Sequence, residues 1–121
     1  MLIAVCTFIG CNKTLYIDNN FYVEKDSLRR EYLLRYKGEN VFPNEYINRI
    51  GYNKEWIVAC TSTFQDLPSN TRYYIINKQN FINLHGEIEN NGLLGPYDIN
   101  KYIEVLHNLQ LHEELKFTNS F

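Results

Sequence analysis

The alternation of apolar and polar residues predicts a largely antiparallel β protein. Residues 14–17 and 21–24 flank the turn formers Asp18-Asn19-Asn20 and are predicted to pair as a first hairpin. Residues 31–37 form a further apolar segment, which ends at a glycine-containing turn and predicts another strand.

The strongest strand signals lie in the middle of the chain. Residues 46–51 alternate, residues 56–63 are apolar at successive positions, and residues 72–77 follow a loop rich in turn formers. The continuous apolar run is typical of a central strand covered on both faces. We expect these three strands to form an antiparallel meander, followed by an irregular segment at 79–96 with room for one short strand.

A C-terminal helix is predicted after Asp98, whose carboxylate can cap it. Apolar residues recur at intervals of three and four and define one stripe: Ile99, Tyr102, Ile103, Leu106 and Leu109. Residues 115–117 suggest a final edge strand. The predicted fold is therefore α+β, with an antiparallel sheet of about five strands and one amphipathic helix packed on it, in a single domain over residues 11–121.

The first eleven residues carry a separate signal. Residues 1–9 form an uncharged apolar run that stops at Gly10-Cys11, and polar residues begin at Asn12. This pattern resembles the end of a bacterial lipoprotein signal, in which residues 1–10 are removed and a lipid is attached to the Cys11 thiol. No charge precedes Lys13, so the basic start of such a signal would have to lie before Met1. The alternative is a buried β-strand, since a membrane-spanning helix needs about 20 apolar residues.

Composition limits the partners of the protein. Its 12 basic and 14 acidic residues give a formal net charge of −2 without a basic stripe, which argues against nucleic-acid binding. Ten tyrosines suit half-buried sheet surfaces, and tyrosine is also common at recognition surfaces. Trp56 and Tyr73 are the candidate recognition residues. Their alternative role is core packing, which the spread of tyrosines over every predicted strand favours.

Candidate catalytic and metal-binding residues are few. His85, Glu87 and Glu89 would share one face of a strand, as a metal site requires, but their loop-like surroundings favour solvated side chains. His107 and His112 are five residues apart, so they do not share a helical face and are expected to be exposed. The sequence contains no phosphate-binding, dinucleotide or nucleophile-elbow motif. We therefore predict no enzymatic activity and no cofactor.

The three cysteines depend on the fate of the first segment. Cys60 lies in a strong strand, which indicates a buried thiol that behaves as a small apolar group. If residues 1–10 are removed, Cys6 leaves with them and Cys60 remains without a cysteine partner. If they are retained, pairing of Cys6 with Cys11 or with Cys60 stays open.

Three segments carry a resemblance to a known family. They are Ile50-Gly51 leading into the 52–59 turn and strand, the Tyr-Tyr-Ile-Ile strand within residues 72–77, and Gly95-Pro96 before the helix. Together they resemble a family of small uncharacterised bacterial proteins, many of them lipoproteins, over residues 30–117. The resemblance implies a single-domain architecture and lipidation of Cys11, and it implies no catalytic residue because the family has no assigned activity.

The sequence thus predicts a non-catalytic, lipid-anchored protein of the bacterial cell envelope, with a binding or structural role. Its partners would be the membrane, through the lipid on Cys11, and a protein. The alternative is a soluble cytoplasmic inhibitor or immunity-type protein that neutralises a partner protein and retains residues 1–9 as a core strand. A third hypothesis, an enzyme that uses His85 and Glu87, would require a bound metal.

Overall fold

The computed structural model describes residues 14–28, 30–64, 70–83 and 92–121, which form nine strands and two helices. The chain divides into two compact units, Met1–Pro43 and Asn44–Phe121, where the sequence indicated one domain for residues 11–121. Each unit contains its own antiparallel sheet. The predicted α+β class and antiparallel pairing are confirmed, while the single sheet of the prediction is replaced by two.

The first unit holds a four-stranded meander. Its strands are β1 (Thr14–Tyr16), β2 (Phe21–Lys25), β3 (Tyr32–Tyr36) and β4 (Glu39–Asn40), in that spatial order. The predicted hairpin turn is present because the Asp18 carboxylate accepts the backbone N–H groups of Asn20 and Phe21, each at 2.8 Å.

Cross-strand pairs stabilise this sheet on both faces. On one face Phe21 lies opposite Tyr36, with ring centroids 4.9 Å apart and both side chains buried. On the other face Arg35 Nε forms an ion pair with Glu24 Oε2 at 2.6 Å. Since both charged side chains are partly exposed, the ion pair contributes less to stability than the buried aromatic pair.

The second unit holds a five-stranded sheet in the order β8-β7-β6-β5-β9. Its strands are β5 (Glu45–Tyr52), β6 (Trp56–Thr63), β7 (Arg72–Asn77), β8 (Leu93–Tyr97) and β9 (Asn119–Ser120). The predicted meander is confirmed in β5, β6 and β7. The central strand β6 is buried on both faces, since Ile57, Val58, Ala59 and Cys60 are at most 2% exposed.

A bulge in β5 sets which residues face each other across the sheet. Ile47 pairs with Thr61, but Arg49 pairs with Cys60, so one residue of β5 is left over at Asn48. The Asn48 side-chain amide donates to the Ser62 hydroxyl at 2.9 Å. The shift in register brings Arg49 beside Cys60.

The predicted C-terminal helix is α2 (Ile99–Asn108), and a short helix, α1 (Lys78–Asn83), precedes β8. The Asp98 carboxylate caps α2 by accepting the Lys101 N–H at 2.8 Å. Tyr102 and Leu106 are its buried side chains. The rest of the predicted stripe is more open: Ile99, Ile103 and Leu109 are 44%, 45% and 37% exposed. The helix therefore packs through a narrower stripe than the sequence indicated.

Two segments differ from the predictions. Residues 79–96, expected to be irregular with room for one short strand, contain most of α1, which was not predicted, and most of β8, which is that short strand. Residues 115–117, expected to be a strand, are irregular and cross β5 at Gly51, before β9 pairs with Arg49 and Ile50. A Cβ atom on Gly51 would collide with the backbone carbonyl of Lys116. Glycine at this position therefore allows the C-terminal segment to cross β5.

Candidate functional site

A group of packed aromatic and titratable side chains lies between α2 and the five-stranded sheet. We call it the aromatic cluster, and it consists of Tyr73, Tyr102, Phe117, Arg49 and Cys60. The Tyr73 and Tyr102 rings are stacked with centroids 5.0 Å apart, and the Tyr102 and Phe117 rings are stacked at 5.8 Å. The three rings form a continuous aromatic layer.

The sheet register and the helix position explain how the aromatic cluster forms. Arg49, Cys60 and Tyr73 lie side by side across β5, β6 and β7, because Cys60 pairs with both of the others. The helix supplies Tyr102 from its buried stripe. The C-terminal segment that crosses Gly51 supplies Phe117. Five separate chain segments, namely three strands, the helix and the C-terminal segment, therefore meet at this site.

Arg49 closes the aromatic cluster on its solvent side. Its guanidinium carbon lies 4.6 Å from the centre of the Phe117 ring, and its Nη2 lies 3.9 Å from the Cys60 sulfur. Arg49 is exposed, while Cys60 is 2% exposed. This arrangement gives a cation–π contact over a buried thiol. It keeps a positive charge at the surface and restricts access to the sulfur.

The tyrosines of the aromatic cluster are not suited to proton transfer near neutral pH. Burial raises the pKa of Tyr102 and of Tyr73, and the nearby Cys60 sulfur raises the pKa of Tyr73 further. Burial lowers the pKa of Arg49, but its contacts with Cys60 and Tyr73 outweigh this, so the Arg49 pKa lies above its ordinary value. The phenols are therefore neutral and Arg49 is charged.

The predicted recognition residues lie on this same face of the sheet. Tyr73 is 9% exposed and its ring is stacked on Tyr102, so little of it faces solvent. Trp56 is partly buried and packs against the same core. Their positions match the core-packing alternative, and a recognition role for the pair stays a prediction.

Several predicted residues lie outside the described part of the chain. These are the lipidation candidate Cys11, its neighbour Cys6, and the metal candidates His85, Glu87 and Glu89. Among the described residues no three His, Cys, Asp or Glu side chains could hold a metal ion together. Neither described helix is long and apolar enough to cross a bilayer.

A partly buried hydrogen-bond network occupies the opposite face of the five-stranded sheet. The Thr61 hydroxyl donates to Glu45 Oε1 at 2.6 Å, and the Tyr74 hydroxyl lies 2.8 Å from Glu45 Oε2. Burial raises the pKa of Tyr74, and the hydrogen bond to Glu45 raises it further. Since the Glu45 carboxylate accepts from both hydroxyls, the network ties β5 to β6 and β7.

The two C-terminal histidines form a pair that sequence spacing missed. The imidazole rings of His107 and His112 are stacked with centroids 4.0 Å apart and an interplanar angle of 14°. The chain reverses after the helix, where Gln110 adopts a left-handed conformation with φ 61°. His112 lies beyond the end of the helix, so its spacing from His107 does not determine whether the two rings meet. Parallel rings do not direct their lone pairs to one metal position.

Exposed apolar side chains occur in both units. In the first unit Leu28 is 90% exposed and Tyr16 is 71% exposed. In the second unit Ile99 and Ile103 lie one turn apart on α2 and are about half exposed. These four side chains are candidates for contact with a partner or a membrane, since apolar surface is stabilised when it leaves water.

Comparison of the chain with protein-family models, curated proteins and solved structures finds no match in any of the three. The resemblance to small bacterial lipoproteins therefore stays a prediction.

Proposed function

We propose that this protein is a lipid-anchored protein of the bacterial cell envelope that acts by binding rather than by catalysis. The observation that carries the proposal is the uncharged apolar run of residues 1–9, ending at Gly10-Cys11 and followed at once by polar residues. A small residue before the cysteine suits cleavage, and the thiol is the group that a diacylglycerol can modify.

The geometry of the described residues supports a binding role. The most polarisable nucleophile among them, the Cys60 sulfur, is buried beneath the Arg49 guanidinium, and the stacked tyrosines are held neutral. The side chains with free apolar surface are instead at the outside, on α2 and in the first unit. Such a surface favours contact with another molecule over chemistry in an enclosed site.

Metabolic labelling with a radioactive fatty acid tests the anchor. The wild-type protein should incorporate label and sediment with membranes, while Cys11→Ser should do neither because serine offers no thiol. Cys60→Ser is the matched control and should be labelled like the wild type, since that sulfur is 2% exposed. An unlabelled wild-type protein with the same mobility as Cys11→Ser contradicts the proposal.

A soluble inhibitor of a partner protein is the second candidate. It is favoured by the outer side of α2, where Ile99 and Ile103 present apolar surface beside the charged pair Lys101 and Glu104, whose charged atoms are 3.4 Å apart. An apolar stripe with a charged margin is typical of a protein interface. This candidate predicts an unlabelled protein in the cytoplasmic fraction that retains residues 1–9.

A further inference from the structure

The turn between β2 and β3 carries the most exposed large apolar side chain among the described residues. Leu28 is 90% exposed. A single exposed leucine is ordinary on a protein surface, so its meaning depends on where it lies and what surrounds it.

Backbone hydrogen bonds hold this turn in a defined shape. The Asp26 N–H donates to the Glu31 carbonyl at 2.7 Å, and the Arg30 N–H donates to the Asp26 carbonyl at 2.8 Å. The Leu28 N–H also donates to the Asp26 carboxylate at 3.3 Å. Because the turn is closed at its base, Leu28 projects from the end of the hairpin. Arg30, two positions after Leu28, is also exposed.

The chain enters the sheet at the same end. β1 and β2 are antiparallel, with Thr14 opposite Glu24, so the amino end of β1 lies on the side of the β2–β3 turn. Leu28 is four residues beyond Glu24. Cys11 is three residues before Thr14, and three residues of chain span at most about 11 Å. A lipid on Cys11 would therefore hold this end of the sheet within about 11 Å of its attachment point.

Charge is distributed unequally along the chain. Residues 1–43 contain six Lys and Arg and five Asp and Glu, a formal charge of +1, whereas residues 44–121 contain six and nine, a formal charge of −3. An anionic membrane surface attracts the net positive charge of residues 1–43 and repels the net negative charge of residues 44–121. The unit that follows Cys11 is thus the one suited to lie close to phospholipid headgroups.

We propose that the β2–β3 turn is a membrane-contact tip, in which Leu28 enters the boundary between headgroups and acyl chains and Arg30 binds a lipid phosphate. This inference rests on the proposed lipid anchor at Cys11. The guanidinium fork matches phosphate oxygens, and the leucine side chain loses its exposed apolar surface to the bilayer. A second attachment beside the lipid fixes the orientation of the first sheet on the membrane.

Fluorescence quenching in vesicles tests the tip. The full-length lipidated protein is prepared with Trp56→Phe, which removes its single tryptophan, and with either Leu28→Trp or Tyr16→Trp. Tyr16 is the matched control, because it is 71% exposed and lies at the opposite end of the β1–β2 pairing. The vesicles contain phosphatidylglycerol and phosphatidylcholine brominated on its acyl chains, and bromine quenches a nearby indole.

We expect the tryptophan fluorescence of the Leu28→Trp variant to be quenched at least about twofold more than that of the Tyr16→Trp variant. The reason is that only position 28 reaches the boundary between headgroups and acyl chains. If both variants float with the vesicles and the quenching of Leu28→Trp falls short of about twofold that of Tyr16→Trp, the proposed membrane contact of the turn is wrong and lipidation of Cys11 stands. In that case Leu28 faces a protein partner or water. If the protein carries no diacylglycerol on Cys11 and does not float with the vesicles, the proposed lipid anchor and the proposed membrane contact of the turn are both wrong.

Discussion

The two units differ in how completely they cover their large apolar side chains. In the second unit the helix and the C-terminal segment cover one face, and even the exposed Ile103 keeps more than half of its surface covered at 45% exposure. In the first unit Phe21 and Tyr36 are fully buried, yet Leu28 is 90% exposed at the end of the same sheet. The aromatic cluster thus buries its large side chains within the second unit, while the first unit leaves the apolar surface of Leu28 uncovered.

The largest difference is expected between two tyrosines, one from each unit. Tyr102→Ala should lower the free energy of unfolding by about 3–5 kcal/mol, because it leaves a cavity between the Tyr73 and Phe117 rings. Tyr16→Ala should change it by no more than about 0.5 kcal/mol, since that ring is 71% exposed. Urea denaturation measures both, and similar losses for the two variants would contradict the contrast between the units.

One glycine in each unit allows the two units to be compared at the backbone. Gly51→Ala should cost about 3 kcal/mol because the new methyl group meets the Lys116 carbonyl and displaces the segment that carries Phe117. Gly38→Ala should cost about 1 kcal/mol, since a Cβ there meets nothing and only the left-handed conformation, with φ 87°, opposes it.

Thermal unfolding of the two glycine variants provides the measurement. The larger fall in melting temperature should belong to Gly51→Ala, accompanied by a change in near-ultraviolet circular dichroism from the aromatic cluster. Equal falls in melting temperature for Gly38→Ala and Gly51→Ala would show that the close approach of the Lys116 carbonyl to Gly51 adds no extra cost.

Alkaline pH should weaken the second unit through its buried tyrosines. Burial raises the pKa of both Tyr74 and Tyr102, so the unfolded chain loses these protons first as pH rises. Their contribution is fully present below about pH 10, the ordinary tyrosine pKa, and is lost above it. Above about pH 10, the earlier ionisation of each tyrosine in the unfolded chain should lower the free energy of unfolding by up to about 1.4 kcal/mol per pH unit.

Denaturant unfolding from about pH 8 upward measures this slope. The double variant Tyr74→Phe with Tyr102→Phe is the control and should show a flatter profile, since neither position can then ionise. A wild-type slope identical to that of the double variant would show that other groups cause the alkaline loss.

The sequence predicted the central strands well, and the reason is visible in their burial. β6 and β7 have the predicted bounds, because both strands present buried apolar residues at consecutive positions, a pattern that few other elements produce. The division into two sheets could not be predicted, since periodicity identifies a strand without identifying its neighbour. Helix α1 was missed because six residues carry too little of a helical repeat.

The candidate site was predicted only in part. Cys60 is buried, as its strand context indicated, and Asp98 caps the helix. The contact between Arg49 and Cys60 depends on the bulge at Asn48, which no glycine or proline marks in the sequence. The stacked pair of His107 and His112 depends on a left-handed Gln110, a residue type that rarely adopts this conformation.

Both proposals depend on a lipid on Cys11 that attaches this protein to a membrane. Intact-mass and peptide mass spectrometry of the protein isolated from its native cells detects this lipid and identifies the first residue of the mature chain. We expect a mature chain whose first residue is Cys11, with the added mass of a diacylglycerol on its sulfur. A native chain that retains residues 1–9 and carries a free Cys11 thiol would contradict both proposals.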